Sequence, residues 1–142
     1  MIRAVLDANG IISAVIAPLG PPRRIFDAWR NGRFALVTSD AIVEEVARKL
    51  SHPKIRDRYS VGEEDRGAIV ALLLGAGEWM AGTTTIRPTS RDPDDDKIIV
   101  AAVESGAGFI VTGDRDLLSL GAYRGVQIVT PARFVDELAA PL

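Results

Sequence analysis

The acids of this chain stand at regular places relative to its apolar runs, and any chemistry must start from them. Asp7 ends the run IRAVL, and Asp114 and Asp116 follow FIVTG. Glu44 and Glu45 lie inside DAIVEEVARKL, and Asp94, Asp95 and Asp96 stand just before KIIVAAV. Taken singly, each acid has an ordinary role as a helix cap, a turn residue or a solvated face. Gathered at one edge of a sheet, they would repel one another unless some were protonated or a cation sat among them. A hard, all-oxygen set of ligands suits Mg²⁺ or Mn²⁺. A carboxylate-held ion of this kind polarises a phosphoryl oxygen and lowers the pKa of a bound water. The pattern therefore points to phosphoryl transfer or phosphodiester hydrolysis.

Other chemistries are short of residues. There is no cysteine, which excludes disulfides, thiolate catalysis and cysteine zinc sites. His52 is the only histidine, and its place before Pro53 reads as a helix end rather than a general base.

Positioning the acids requires an alternation of strands and helices. IRAVLD reads as a buried strand, NGIISAVIAP as a helix up to Pro18, and RRIFDAWRNG as a helix entered through Pro21-Pro22 and closed by Gly32. FALVTS is a second strand, and Ser39 or Asp40 can cap the helix DAIVEEVARKL, whose Ile42, Val43, Val46, Ala47 and Leu50 follow helical spacing. A short helix and turn over HPKIRDRYSV, a helix over GEEDRGAIVALLLGAGEW and a third strand at EWMAG come next. The polar stretch TTTIRPTSRDPDDD reads as a loop, and DDKIIVAAVESGAG as a strongly apolar helix. The strand FIVTGD, a short helix and turn over RDLLSLGAYRG, the strand VQIVT and the helix PARFVDELAA complete the chain. Short apolar strands alternating with helices argue for an α/β fold with a mostly parallel sheet covered on both faces.

The totals agree with a single domain over 1–142, with 47% hydrophobic and 25% charged residues. A net charge of −2 gives no global field for nucleic acid, so binding of RNA or DNA would need a local basic patch. The N-terminal apolar run breaks at Asp7, unlike a signal peptide, and no apolar stretch reaches the roughly 18–20 residues of a membrane span. The expectation is a cytoplasmic protein without a membrane partner. Trp29, Trp79 and Phe134 are read as core residues, with a face for a second copy or for another protein as the alternative.

The segments VLDANGIISA, IVEEVARKL, DPDDDKIIVAAV and FIVTGDRDLL occur in the order found in the PIN domain, so the chain resembles that family over about positions 2 to 135. It looks closest to the VapC-like group, described as toxin components of toxin–antitoxin systems. The resemblance implies a three-layer α/β/α sandwich with a sheet of about five strands. It also implies a Mg²⁺- or Mn²⁺-dependent ribonuclease acting as a homodimer, with RNA as substrate and an antitoxin protein as a partner. Matched residue by residue, it makes Asp7, Glu45, Asp96 and Asp114 the catalytic and metal-binding acids. Asp116 is then an accessory ligand, and Glu44 and Asp95 are the competing choices for the second and third positions. Asn9, Ser13 and Thr112 match the small polar residues that hold carboxylates or water in place. Arg23, Arg24, Arg91 and Arg115 are candidates for gripping an RNA backbone. The acidic run from Asp92 to Asp96 is longer than the family pattern and blurs the third position.

Two rivals stand beside this reading. LDANGII and GDRD are faintly similar to motifs of haloacid-dehalogenase-like phosphohydrolases, with Asp7 as nucleophile. Their usual second acid would fall at Asn9, which counts against them. The other rival is a non-catalytic PIN-like module that binds RNA or protein.

Overall fold

The computed structural model describes residues 1–16, 19–58, 63–82 and 93–139, without the side chains at 15, 58, 63–65, 93 and 94. Pro18, Arg91, Asp92 and most of the TTTIRPTSRDPDDD loop lie outside the described residues, as does the Asp94 side chain. The apolar runs assemble a six-stranded sheet of β1 (Arg3–Leu6), β2 (Ala35–Ser39), β3 (Glu78–Met80), β4 (Phe109–Val111), β5 (Ala122–Tyr123) and β6 (Val126–Val129). Their order across the sheet is β3-β2-β1-β4-β6-β5. All pairings are parallel except β5 with β6.

The helices are α1 (Ala8–Ile16), α2 (Pro21–Arg30), α3 (Asp40–Leu50), α4 (Pro53–Arg58), α5 (Glu63–Ala76), α6 (Pro93–Ser105), α7 (Arg115–Leu120) and α8 (Pro131–Ala139). On one face α1 packs on α2 and α3, and α3 on α5, while α6 lies against β1, β2 and β4. This is the α/β/α sandwich that the resemblance implies, with six strands where about five were expected.

The central strands are apolar on both faces because both are covered. Val5, Val37 and Ile110 are fully buried in three adjacent strands, and burying each such side chain stabilises the fold by about 1.5–3 kcal/mol. Phe134 of α8 is also fully buried, edge-on to Phe34 and Phe109 with ring centroids 5.1 and 5.5 Å apart. That makes Phe134 a core residue. Trp29 and Trp79 are partly buried against the same core.

One element departs from expectation. GAYRG contains the short strand β5, which turns back into β6 through Arg124 and Gly125, at φ 48° and 84°. Two successive positive φ values are those of the tight turn that suits a hairpin, and Gly125 takes its share without a Cβ penalty. A two-residue strand is too short to show periodicity, so the sequence gives only the turn.

Candidate functional site

The topology itself makes a crevice. After β1 the chain passes to β2 on one side, and after β4 it passes by way of α7 and β5 to β6 on the other. Ligands in open parallel sheets bind beyond the carboxyl ends of strands at such a reversal. Here the register pairs Leu6 with Val111, so the residues that follow, Asp7 and Thr112, leave the sheet side by side. The Thr112 hydroxyl, fully buried, donates to Asp7 Oδ2 at 2.6 Å and accepts from the Asp114 backbone N–H at 3.0 Å. One threonine thus ties the acid after β1 to the acid after β4.

Both acids also start helices. Asp7 Oδ1 accepts from the Gly10 N–H at 2.6 Å, and the Asp7 carbonyl accepts from Ile11 N–H at 3.0 Å. Asp114 Oδ1 accepts from the Asp116 N–H at 2.7 Å as the cap of α7. Each bond satisfies an N–H that has no partner inside its helix.

The other acids arrive on helices. Ser39, at the end of β2, caps α3 by accepting from Ile42 N–H. With Ile42, Val43 and Val46 buried, helical geometry turns Glu45 towards the crevice and leaves Glu44 exposed. A polar cleft of about 100 Å³ results, lined by Asp7, Ala8, Asn9, Glu45, Lys49, Asp95, Ile98 and Asp114.

At the third acidic position the cleft takes Asp95, the alternative choice, and not Asp96. Asp95 and Ile98 are three residues apart on α6 and share a face, whereas Asp96 is rotated by about 100°. Asp116 is exposed and outside the cleft lining, and the part it plays at Asp114 is through its backbone N–H. Ser13 is half-buried on α1 and also outside the lining. Asn9 does line the cleft, where its Oδ1 accepts from Lys49 Nζ at 3.1 Å. Arg23 pairs with Asp27 along α2, and Arg24 and Arg115 are exposed.

Burial pushes the Asp7 carboxyl above its usual range, and the nearby Asp114 adds to the rise. The bonds from Thr112 and Gly10 and the charge of Lys49 pull it down without cancelling the burial. Among the described residues, no three acids converge closely enough to grip one ion as they are placed. Lys49 stands between them instead, with Nζ 3.0 Å from Glu45 Oε1.

Two residues of the site escape the reading of acids alone. Lys49 is one; its position four residues after Glu45 on one helix face was the available signal. Gly10 is the other. A β-carbon there would stand 2.8 Å from Asp7 Oδ1, so a larger residue would push the carboxylate from the place that Gly10 lets it occupy. Nothing local in DANG distinguishes that need from an ordinary glycine.

Comparison with known proteins fits this geometry. A family model described as "PIN domain" matches residues 3–116. An uncharacterised protein of Methanocaldococcus jannaschii, MJ1680, is 34% identical over 144 residues, covering 96% of this chain and 91% of that protein. A chain in the crystal structure of VapBC2 from Rickettsia felis, bound to a DNA fragment from their promoter, is similar in fold. It superposes with a TM-score of 0.59 at 12% identity, over 91% of this chain and 98% of that one.

Proposed function

The chain belongs to the PIN domain family, and from that premise we propose that it is a divalent-metal-dependent endoribonuclease, the nuclease component of a toxin–antitoxin pair. The observation that carries the reading is the single cleft at the sheet's reversal point lined by Asp7, Glu45, Asp95 and Asp114. The donors fit a hard ion in kind, since the described lining offers four carboxylates and an amide oxygen, with no histidine or cysteine. Asp7, Glu45, Asp95 and Asp114 would hold Mg²⁺ or Mn²⁺. When bound, the ion would supply an activated water and charge stabilisation for phosphodiester hydrolysis.

The chain's own groups prepare that site. Thr112 and Gly10 fix both oxygens of Asp7, and the α7 cap fixes Asp114, so neither carboxylate must be ordered when substrate arrives. Asp7 as a covalent nucleophile is disfavoured, because the second acid expected two residues further on is Asn9 in this chain. RNA as the substrate, a homodimer as the working form and a paired antitoxin complete the proposal. The VapBC2 likeness supports the last by analogy of fold.

The test is cleavage of a mixed RNA pool with Mg²⁺ or Mn²⁺ by wild type and by Asp7→Asn, which keeps an acceptor for Gly10 while removing the charge. Metal-dependent cleavage lost in the variant is expected. Absence of cleavage by wild type with both ions, or equal cleavage by both proteins, refutes the reading. In that case binding of uncut RNA would point to the non-catalytic module.

A further inference from the structure

Among the described residues that line the cleft, Lys49 is the one cation beside acids, an amide and apolar groups. Its ammonium makes two contacts there, to Glu45 Oε1 at 3.0 Å and to Asn9 Oδ1 at 3.1 Å. The pair is more than a surface bridge: the Glu45 side chain is only 15% exposed and that of Lys49 33%. The bridge also links two elements, because Asn9 belongs to α1 and Glu45 and Lys49 to α3. Such an ammonium does for the acids what a metal ion would do, by placing positive charge among them.

We propose that Lys49 is a built-in counter-ion that competes with the divalent metal for Glu45, so that metal entry requires Lys49 to leave that carboxylate. The proposal rests on the metal-site reading above and adds a residue to it. Three observations carry it. Glu45 Oε1, an oxygen of a proposed ligand, is occupied by Lys49. The same ammonium reaches Asn9 Oδ1 at 3.1 Å, so it sits inside the cleft rather than at its rim. The long lysine stem can swing the ammonium outward without moving α3, since the side chain reaches solvent. The cleft is thus neutralised before metal arrives, and release of Lys49 accompanies loading. Once displaced, its charge stays at the cleft mouth, where a phosphate of the substrate would meet it.

The experiment is a Mg²⁺ titration followed by melting temperature, with the full chain as wild type, Lys49→Met, Lys49→Arg and Arg48→Met. Arg48 is exposed on the neighbouring face of α3 and controls for the loss of one positive charge. Removing a unit charge that a divalent ion must displace is expected to lower the apparent Mg²⁺ dissociation constant about tenfold in Lys49→Met. Lys49→Arg and Arg48→Met should stay within about threefold of wild type. The metal-free Lys49→Met protein should also melt below wild type, because the acids lose their counter-ion.

A second measurement needs no variant. Acylation of Lys49 Nζ, read by mass spectrometry, should rise when Mg²⁺ is added to wild type. An unchanged or weaker Mg²⁺ affinity in Lys49→Met, together with labelling that Mg²⁺ does not increase, overturns the counter-ion role alone. If neither wild type nor Lys49→Met responds to Mg²⁺ or Mn²⁺, the metal-site reading itself falls and the proposal goes with it.

Discussion

Replacing Thr112 by valine removes one hydroxyl and almost no volume, yet that hydroxyl joins the two strand-end acids. It is fully buried, donates to Asp7 Oδ2 at 2.6 Å and accepts from Asp114 N–H at 3.0 Å. The first bond is to a carboxylate, a class worth about 1.5–3 kcal/mol net, and the second is of the ordinary kind at about 0.5–1.5 kcal/mol. Both bonds are only part-buried, so solvent would recover part of each in the variant, and the expected cost of Thr112→Val is about 2–3 kcal/mol. For a chain of this length that lowers the melting temperature by about 6–12 °C. Thermal unfolding of metal-free protein measures it, with Thr112→Ser as the variant that restores the hydroxyl. The cost should also depend on pH. Losing the Thr112 bond, which favours the ionised form, lets burial raise the Asp7 carboxyl further. The deficit of Thr112→Val should therefore be largest when Asp7 is ionised and shrink as acid protonates it. A valine variant within about 0.5 kcal/mol of wild type at neutral pH would refute the idea that this hydroxyl organises the acids.

Other substitutions separate the same forces. Asp7 has a folded-state pKa raised by burial, so its contribution to stability is present below the unfolded pKa and lost as pH rises through the folded one. The melting temperature of metal-free Asp7→Asn relative to wild type should accordingly rise as pH rises through the folded-state pKa of Asp7, on top of a pH-independent cost for the oxygen that no longer accepts from Thr112. Gly10→Ala should destabilise by about 1–3 kcal/mol, because the new β-carbon meets Asp7 Oδ1 at 2.8 Å. Gly67→Ala, in α5 where a β-carbon meets no described atom within 4 Å, should instead stabilise by about 0.5–1 kcal/mol through helix propensity. Thr38→Val in β2 should raise stability by about 1–2 kcal/mol, since the Thr38 hydroxyl is fully buried and finds no partner among the described residues. Denaturant unfolding of the four variants checks these signs, and a stabilised Gly10→Ala would show that Asp7 does not need that approach.

What the sequence disclosed follows from how far each signal reaches along the chain. Strands β1, β2, β4 and β6 are apolar runs bounded by turns, and α2 and α3 carry clear helical spacing, so they were legible. The pairing of Asp7 with Asp114 was legible too, because each ends a strand and parallel strands end at one edge. Choosing Asp95 over Asp96 was not legible from DDD. That choice depends on the rotation of α6 about its axis, which is set by burial of Ile98 and Ile99 several residues later. Lys49 and Gly10 were missed because their roles are interactions with an acid, and a list of acids does not show which neighbours reach them. β5 was missed because two residues carry no period.

The structure also removes an opposition that the sequence invites, between Asp7 and Asp114 as helix caps and the same residues as site acids. A carboxylate offers about four acceptor positions. Capping uses one on Asp7 and one on Asp114, and Thr112 uses a second on Asp7. Lone pairs therefore remain on both groups, and the bonds already made decide where they point. The cap is thus what orients the acid, and the helix start and the cleft are built by the same atom. Alanine at position 7 would remove cap and charge together, leaving Gly10 N–H without its acceptor. Asparagine keeps the acceptor for Gly10, removes the charge and puts an amide NH2 in place of the oxygen that accepts from Thr112. Of the two, only asparagine tests the charge of this cleft without also disturbing the start of α1.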